Sequence, residues 1–321
     1  MQTQPTILRP PRLAPGARVA LVAPAGPLLE RDDLIRGVAL AEALGFAPEL
    51  GAHAAKRHGY LAGRDEERLA DLQHALADPR IDAVWCLRGG YGVTRILDRL
   101  DMAPLRTRPK ALVGFSDITA LLLAAHASAG LVTFHGPVAR RPMTAFTRRG
   151  FERALASPEA AGLLETLPVP QGVLVPTENR IATITDGVAA GRLIGGNLSL
   201  LHCLIGTPWF PRLEGAILFL EDVSEKLYAV DRMLAHLRSI GAFTNLAGVA
   251  IGRFTDLTRG GADGALGLDE VLATYFGPLR VPVAAGFPIG HLDDQWTLPI
   301  GVEAELDATQ GRLSLLEAAV Q

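Results

Sequence analysis

A chain of 321 residues, 49% of them hydrophobic and 20% charged, is long enough for one large or two medium domains and can bury a core without staples. Its formal net charge of −3 comes without the basic stripe that nucleic-acid binding requires, so nucleic acid is set aside as a partner. No apolar run reaches the roughly 18 residues of a membrane span. The proline-rich opening "MQTQPTILRPPRLAPGARVA" also lacks a secretory h-region, and the chain reads as soluble and cytoplasmic.

In chain order, "ARVALVAPAG" is a strand running into a turn, and "LLERDDLIRGVALAEALGF" a helix stopped by Gly45. "DEERLADLQHALADP" is a second amphipathic helix, and "IDAVWCLRGG" a continuous apolar strand that ends in glycines. "YGVTRILDRLD" reads as helical, "KALVGFS" as a strand, "DITALLLAAHASAG" as a helix and "LVTFHGP" as a further strand. Near-continuous apolar strands alternating with helices predict a parallel sheet covered on both faces. Cys86 in "AVWCL" and Cys203 in "LLHCLIG" lie in apolar runs and read as two buried thiols in a reducing compartment.

The periodicity breaks at "TLPVPQGVLVPTEN", a proline-rich linker. Beyond it, short strands mix with helices. "GAILFLED" is a strand ending in two acids, and "SEKLYAVDRMLAHLRSIGAF" a long helix with Ser224 as N-cap. "LAGVAIGRF" and "VPVAAGFPIGH" are strands, and "WTLPIGVEAELDATQGRLSLLE" alternates by twos as a hairpin does. The expected architecture is a doubly wound α/β domain over residues 1–165, a linker over 166–181 and a smaller β-rich domain over 182–321.

Ligands of open parallel sheets gather outside the carboxyl ends of the strands. Ser116, in "LVGFSDI", falls at such an end, where a tight strand-turn-helix would expose its Oγ beside the unpaired N–H groups of the following helix. The hydrolase elbow G-x-S-x-G is half present: Gly114 supplies the first glycine, and Ile118 stands in the second position. A plain N-cap serine fits the corner equally well. "CLRGGYGVTRIL" forms a similar corner, whose Gly89 and Gly90 bring bare N–H groups close to a ligand. It could hold phosphate or supply an oxyanion donor beside Ser116. Cys86, three residues earlier, lies within the strand and reads as an inert thiol.

A serine nucleophile needs a base. His135, in "VTFHGP", and His291, in the irregular "GFPIGHLDDQW", are both candidates. Glu221, Asp222 and Glu225 are the acids able to orient one of them. No metal-ligand spacing appears.

Taken together, "RGGYGVTRILDRLD", "LVGFSDITALL", "GLVTFHGPV", "GGNLSLL", "ILFLEDVSEKLYAVDRML" and "GFPIGH" followed by "WTLPIG" resemble the LD-carboxypeptidases, a family of serine peptidases that includes the microcin C immunity peptidases. The resemblance implies an α/β domain and a β-rich domain with the active site between them. It also implies a Ser-Glu-His triad without a metal or other cofactor, and members that are usually cytoplasmic and often homodimeric. It maps the nucleophile onto Ser116, the acid onto Glu221 (with Asp222 and Glu225 as substitutes) and the base onto His291, and it assigns the oxyanion hole to the N–H groups of Gly90 and Asp117. Arg88 becomes a candidate for the carboxylate of the leaving D-amino acid. The implied reaction releases terminal D-alanine from murein tetrapeptide in cell-wall recycling. Three alternatives stand beside it: hydrolysis of aminoacyl-nucleotide conjugates by the same triad, a nucleotide- or phosphate-binding module built on "RGGYG", and a catalytically dead scaffold. Residues 138–180 carry no motif that identifies the substrate pocket.

Overall fold

The computed structural model describes residues 7–30, 32–169, 171–172, 174, 179–258 and 266–321. The proline-rich opening and the linker therefore lie partly outside the described residues. In the first sheet, β1 (Arg18–Val22), β2 (Ala47–Leu50), β3 (Ala83–Cys86), β4 (Ala111–Gly114) and β5 (Thr133–His135) are parallel, in the order β2-β1-β3-β4-β5. The strands β3, β4 and β5 are buried throughout, which their unbroken apolar runs require. Between the strands run α1 (Asp32–Ala43), α2 (Asp65–Ala77), the short α3 (Pro104–Thr107) and α4 (Thr119–Ala129). The edge strand β2 escaped sequence reading because only two of its four residues are apolar aliphatics and one is a proline.

After β5 comes α5 (Ala145–Ala156), capped by Thr144, whose side chain accepts the Thr147 N–H. The second sheet comprises β6 (Gly162–Leu163), β7 (Ala182–Thr185), β8 (Val188–Asn197), β9 (Ala216–Val223), β10 (Gly248–Thr255), β11 (Val283–Ala285), β13 (Glu303–Asp307) and β14 (Arg312–Leu315). Its order is β6-β14-β13-β8-β9-β10-β11-β7. The four central strands, β8 to β11, are parallel and alternate with α6 (Leu198–Cys203), α7 (Leu227–Ser239) and α8 (Leu268–Phe276), while both flanks are antiparallel. The architecture is thus α/β with two sheets, and the second has a parallel centre of its own.

The remaining strand, β12 (Leu298–Ile300), returns to the first sheet and pairs antiparallel with β5, Leu298 against His135 and Ile300 against Thr133. "WTLPI" therefore does not join the predicted hairpin, which forms only from β13 and β14. Gly301, at φ +97°, makes the turn between the two sheets. The helix expected over residues 91–101 is instead two separate 3₁₀ turns, Val93–Arg95 and Leu97–Arg99. Ser224 is not the cap of α7. The chain stays beside β10 for longer, with Ser224 N–H on Thr255 O and Leu227 N–H on Thr258 O, so Lys226 takes the cap position. Cys86 is buried as expected, but Cys203 is exposed on α6.

The two sheets meet through α4. The Asn197 N–H at the end of β8 donates to Thr119 Oγ1 (3.2 Å), and a Cβ on Gly196 would lie 2.9 Å from that same oxygen. Gly195, at φ +156°, lies so close to β9 that a Cβ would overlap the carbonyl of Phe219. We expect Gly195→Ala to destabilise the protein by on the order of 3 kcal/mol or more, or to abolish soluble expression. A thermal melt within a degree or two of wild type would show that the strands adjust to the methyl.

Candidate active site

The ends of β3, β4 and β5 open into one cleft of about 400 Å3, lined by Arg88, Gly89, Gly90, Ser116, Arg140 and Thr147 from the first half and by Val223, Asp256 and His291 from the second. This is where open parallel sheets place their ligands. A larger cavity of about 850 Å3, lined by His126, Arg106 and Arg192 among others, contains neither Ser116 nor His291.

Ser116 follows β4 and opens a 3₁₀ turn, Ser116–Ile118, that leads into α4. Its φ is +63°, a left-handed value that costs a residue with a Cβ roughly 1–3 kcal/mol and that recurs at functional corners. The neighbouring loop has no space for side chains: a Cβ on Gly89 would lie 2.8 Å from Ser116 Cβ and 3.0 Å from its Oγ. Gly90, at φ +107°, lies against Gly26 after β1, where a Cβ would come within 3.2 Å of the Gly26 Cα. Three glycines thus let the β1 and β3 loops close around the serine.

Two buried charges fix that loop. Arg68 of α2, 1% exposed, donates to Gly92 O (2.8 Å) and to Pro24 O, tying the β3 loop to the β1 loop. Asp117, also 1% exposed, turns its carboxylate inward and accepts the Val93 N–H at 2.8 Å. The side chain next to the serine therefore clamps the glycine loop, while its backbone N–H sits at the start of the helical turn. Burial pushes the Asp117 carboxyl up to about 6, opposed by the bonds from Val93 and Gly92 and by Arg68.

From the other side, Glu221 lies near the end of the buried run of β9, one residue before the buried Asp222, with no solvent exposure. Its Oε2 lies 2.8 Å from His291 Nδ1. A carboxylate can only accept, so Nδ1 carries the proton and donates, leaving the Nε2 lone pair as the basic position. The other carboxylate oxygen, Oε1, is buried without a hydrogen-bond partner. Gly290, at φ +115°, makes the close approach feasible, since a Cβ there would come within 2.6 Å of Glu221 Oε2. Phe115 packs edge-on against the His291 ring, 4.7 Å between centroids. The loop beyond His291 is held by the first half of the chain: Thr147 Oγ1 donates to Asp293 O (2.8 Å) and accepts the Gln295 N–H (2.9 Å).

The alternatives from the sequence fall elsewhere. Asp222 is occupied by Asn197 Nδ2 (2.9 Å), Ser199 N–H (2.9 Å) and Ser199 Oγ (2.7 Å), so it organises the start of α6; burial raises its carboxyl despite these bonds. Glu225 joins the same cluster through Ser199 Oγ at 3.3 Å. His135 is fully buried in β5, its ring between Phe115 and Phe219 and neither nitrogen hydrogen-bonded. Burial pushes it down to about 4, which keeps it neutral, and it does not line the cleft. Arg88 is half-buried on the cleft wall and donates to Pro27 O rather than standing free. Arg140, Arg141 and Thr147 were not singled out from sequence; the signal available was Thr144, an N-cap preceding the amphipathic run of α5. Among the described residues no group of three or more His, Cys, Asp or Glu could hold a metal ion, and no helix is long and apolar enough to cross a membrane.

The LD-carboxypeptidase N-terminal domain is matched by residues 19–136 and the LD-carboxypeptidase C-terminal domain by residues 190–306. The chain belongs to the LD-carboxypeptidase family. It is 38% identical over 305 residues to a murein tetrapeptide carboxypeptidase of Pseudomonas aeruginosa, with 92% of this chain and 94% of that one covered. Among solved structures it is similar to the muramoyltetrapeptide carboxypeptidase from Oxalobacter formigenes (TM-score 0.78, 32% identity, 93% and 98% of the two chains). It is also similar to the microcin C7 self-immunity protein MccF in complex with glutamyl sulfamoyl guanosine (TM-score 0.87, 26% identity, 98% and 100%); the MccF of Escherichia coli is 27% identical over 339 residues.

Two outcomes follow from the geometry. Gly290→Ala should part Glu221 from His291 and lower turnover of a cleaved peptide by about 100-fold or more while the fold persists; a variant with wild-type turnover would remove the contact from the mechanism. Asp117 is raised from 3.8 to about 6, so its ionised form is penalised in the folded state above pH 6, and the penalty disappears below about pH 4. Asp117→Asn should therefore gain stability relative to wild type as pH rises from 4 to 7, by up to about 3 kcal/mol. Parallel denaturation curves for the two proteins across that range would contradict it.

Proposed function

We propose that this protein is a serine carboxypeptidase that cleaves an L,D-peptide bond and releases the terminal D-alanine of murein tetrapeptide, a cytoplasmic step of cell-wall recycling. The observation that carries the reading is the buried Glu221 carboxylate on His291 Nδ1, in the cleft that also holds the strained Ser116. Ser116 Oγ attacks the carbonyl carbon, and its proton passes to His291 Nε2. The oxyanion is stabilised by the N–H groups of Gly90 and Asp117, where each donor is worth roughly 100- to 1000-fold. The C–N bond then breaks as His291 returns the proton to the leaving amine. Water, deprotonated by His291, attacks the acyl-enzyme and frees Ser116. Glu221 holds the imidazole tautomer and offsets the charge of the imidazolium. In this reading residues 1–165 carry the nucleophile and residues 182–321 the acid and base; a homodimer is the expected assembly.

The likeness to MccF supports a second substrate class, aminoacyl-nucleotide conjugates, for the same triad. The deciding experiment assays D-alanine release from murein tetrapeptide beside hydrolysis of a glutamyl sulfamoyl nucleoside, using wild type, Ser116→Ala and His135→Phe. Ser116→Ala should lose on the order of a thousand-fold or more, whereas His135→Phe should keep turnover within a few-fold of wild type. Full activity in Ser116→Ala would end the proposal, and a collapse in His135→Phe would return the base to β5. A protein that turned over neither substrate, ignored a fluorophosphonate probe and melted higher with nucleotide would instead be a binding module.

A further inference from the structure

Charge is sorted across the cleft. Arg88, Arg140 and Arg141 stand on the wall built by the first half of the chain, and Asp256 and Asp293 on the wall built by the second. Of the three cations, Arg140 is the one least satisfied by its surroundings. Its side chain is 15% exposed, its Nε is buried without a hydrogen-bond partner, and its ion pair with Asp33 is long, 3.8 Å from Nη1 to Oδ1. Asp33 is itself committed elsewhere: it accepts the Leu29 N–H (2.9 Å), the Glu30 N–H (3.1 Å) and Arg36 Nη2 (2.9 Å). Arg88, by contrast, donates to Pro27 O, and Arg141 is 60% exposed with only a 3.9 Å contact to Asp293. A half-buried guanidinium short of acceptors is costly unless a ligand completes it, and its planar fork suits a carboxylate. Burial weakens its hold on its proton, and the neighbouring arginines 141, 88 and 36 add to this, with Asp33 opposing.

The position is specific. After β5, Gly136 N–H donates to Gly114 O at the end of β4, and Ala139 N–H donates to Cys86 O at the end of β3. Residue 140 therefore stands over the strand ends that carry Ser116 and the Gly89–Gly90 loop. An exopeptidase must read the free end of its substrate one residue beyond the broken bond.

Building on the serine carboxypeptidase reading, we infer that Arg140 is the specificity residue that binds the C-terminal carboxylate of the peptide. Asp33 is a positioning residue, holding the guanidinium from behind without neutralising it.

The test compares murein tetrapeptide with the same peptide amidated at its terminal D-alanine carboxyl, on wild type, Arg140→Ala and Arg140→Lys. Wild type should prefer the acid by about 10- to 100-fold in kcat/KM, the span of a charge-assisted bond. Arg140→Ala should lose that factor on the acid, mainly through KM, and be unchanged on the amide, so that the preference disappears. Arg140→Lys, which keeps the charge without the fork, should retain only part of it and remains informative if the alanine variant fails to fold. An Arg140 variant that folds and keeps the wild-type acid-to-amide ratio, or loses equally on both peptides, overturns the inference. Calorimetric binding of both peptides to Ser116→Ala and to Ser116→Ala/Arg140→Lys makes the same comparison without turnover. If wild type cleaves neither peptide, the peptidase reading falls while these binding ratios still decide Arg140: an acid preference weakened by the lysine upholds it, and equal or absent binding of the two peptides refutes it.

Discussion

The hydrogen bond from the Asn197 backbone N–H to Thr119 Oγ1 sets how the two halves of the site meet. Thr119 begins α4, three residues after Ser116, and Asn197 ends β8 in register with Glu221 on β9. The serine corner and the acid that holds the histidine are therefore each one short step from the same contact. Gly196 keeps that contact tight, since a side chain there would push Thr119 away. A neutral bond of this kind contributes only about 1 kcal/mol. Its importance is geometric: it fixes the orientation of one sheet's strand ends on the other's, and with it the width of the cleft. The anchoring of the His291 loop by Thr147 closes the opposite side, so the imidazole is held by both halves at once.

Buried acids of similar sequence appearance are used in three different ways. Asp117 is spent on the glycine loop, Asp222 on the first turn of α6, and Glu221 on His291. What separates them is the supply of donors. Asp222 is surrounded by an amide side chain, a hydroxyl and backbone N–H groups, whereas Glu221 Oε1 has no partner. A carboxylate left with so few bonds interacts strongly with the one cation-forming group it touches. The crowding of glycines has the same logic. Gly89 and Gly290 lie against the hydroxyl corner and the carboxylate respectively, and each leaves the space that a side chain would fill.

Much of this was legible in the sequence where local and tertiary demands agree. The buried parallel strands β1, β3 and β4 announce themselves by unbroken apolar runs, and Ser116 and His291 by irregular, glycine-rich corners at strand ends. Legibility failed where tertiary pairing overrides local pattern. "YGVTRILDRLD" has helical spacing, yet Arg68 and Asp117 grip its first residues and leave only 3₁₀ turns. Ser224 looks like a cap until β10 claims its N–H. "WTLPIG" continues an alternating pattern with β13 although its partner is β5. The choice among Glu221 and Asp222 on β9 and Glu225 just beyond it depends on which way each faces and what waits there, which spacing alone does not decide. Arg140 carries no motif at all; only the folded cleft shows that its Nε lacks an acceptor and that its pair with Asp33 is long.

The return of β12 to the first sheet bears on how the protein is made. On the ribosome, β5 emerges well over a hundred residues before Leu298–Ile300, so the edge that pairs with β12 lacks that partner over the whole interval. The same interval leaves Trp296 unable to donate to Glu165 O, and Gln321 unable to exchange backbone bonds with Pro10 and Arg12. The layer that carries Ser116 thus gains this partner strand only after the parallel centre of the second sheet has been made. A nascent chain stalled before this point would expose, along β5, a template for aggregation where the folded protein has a seam.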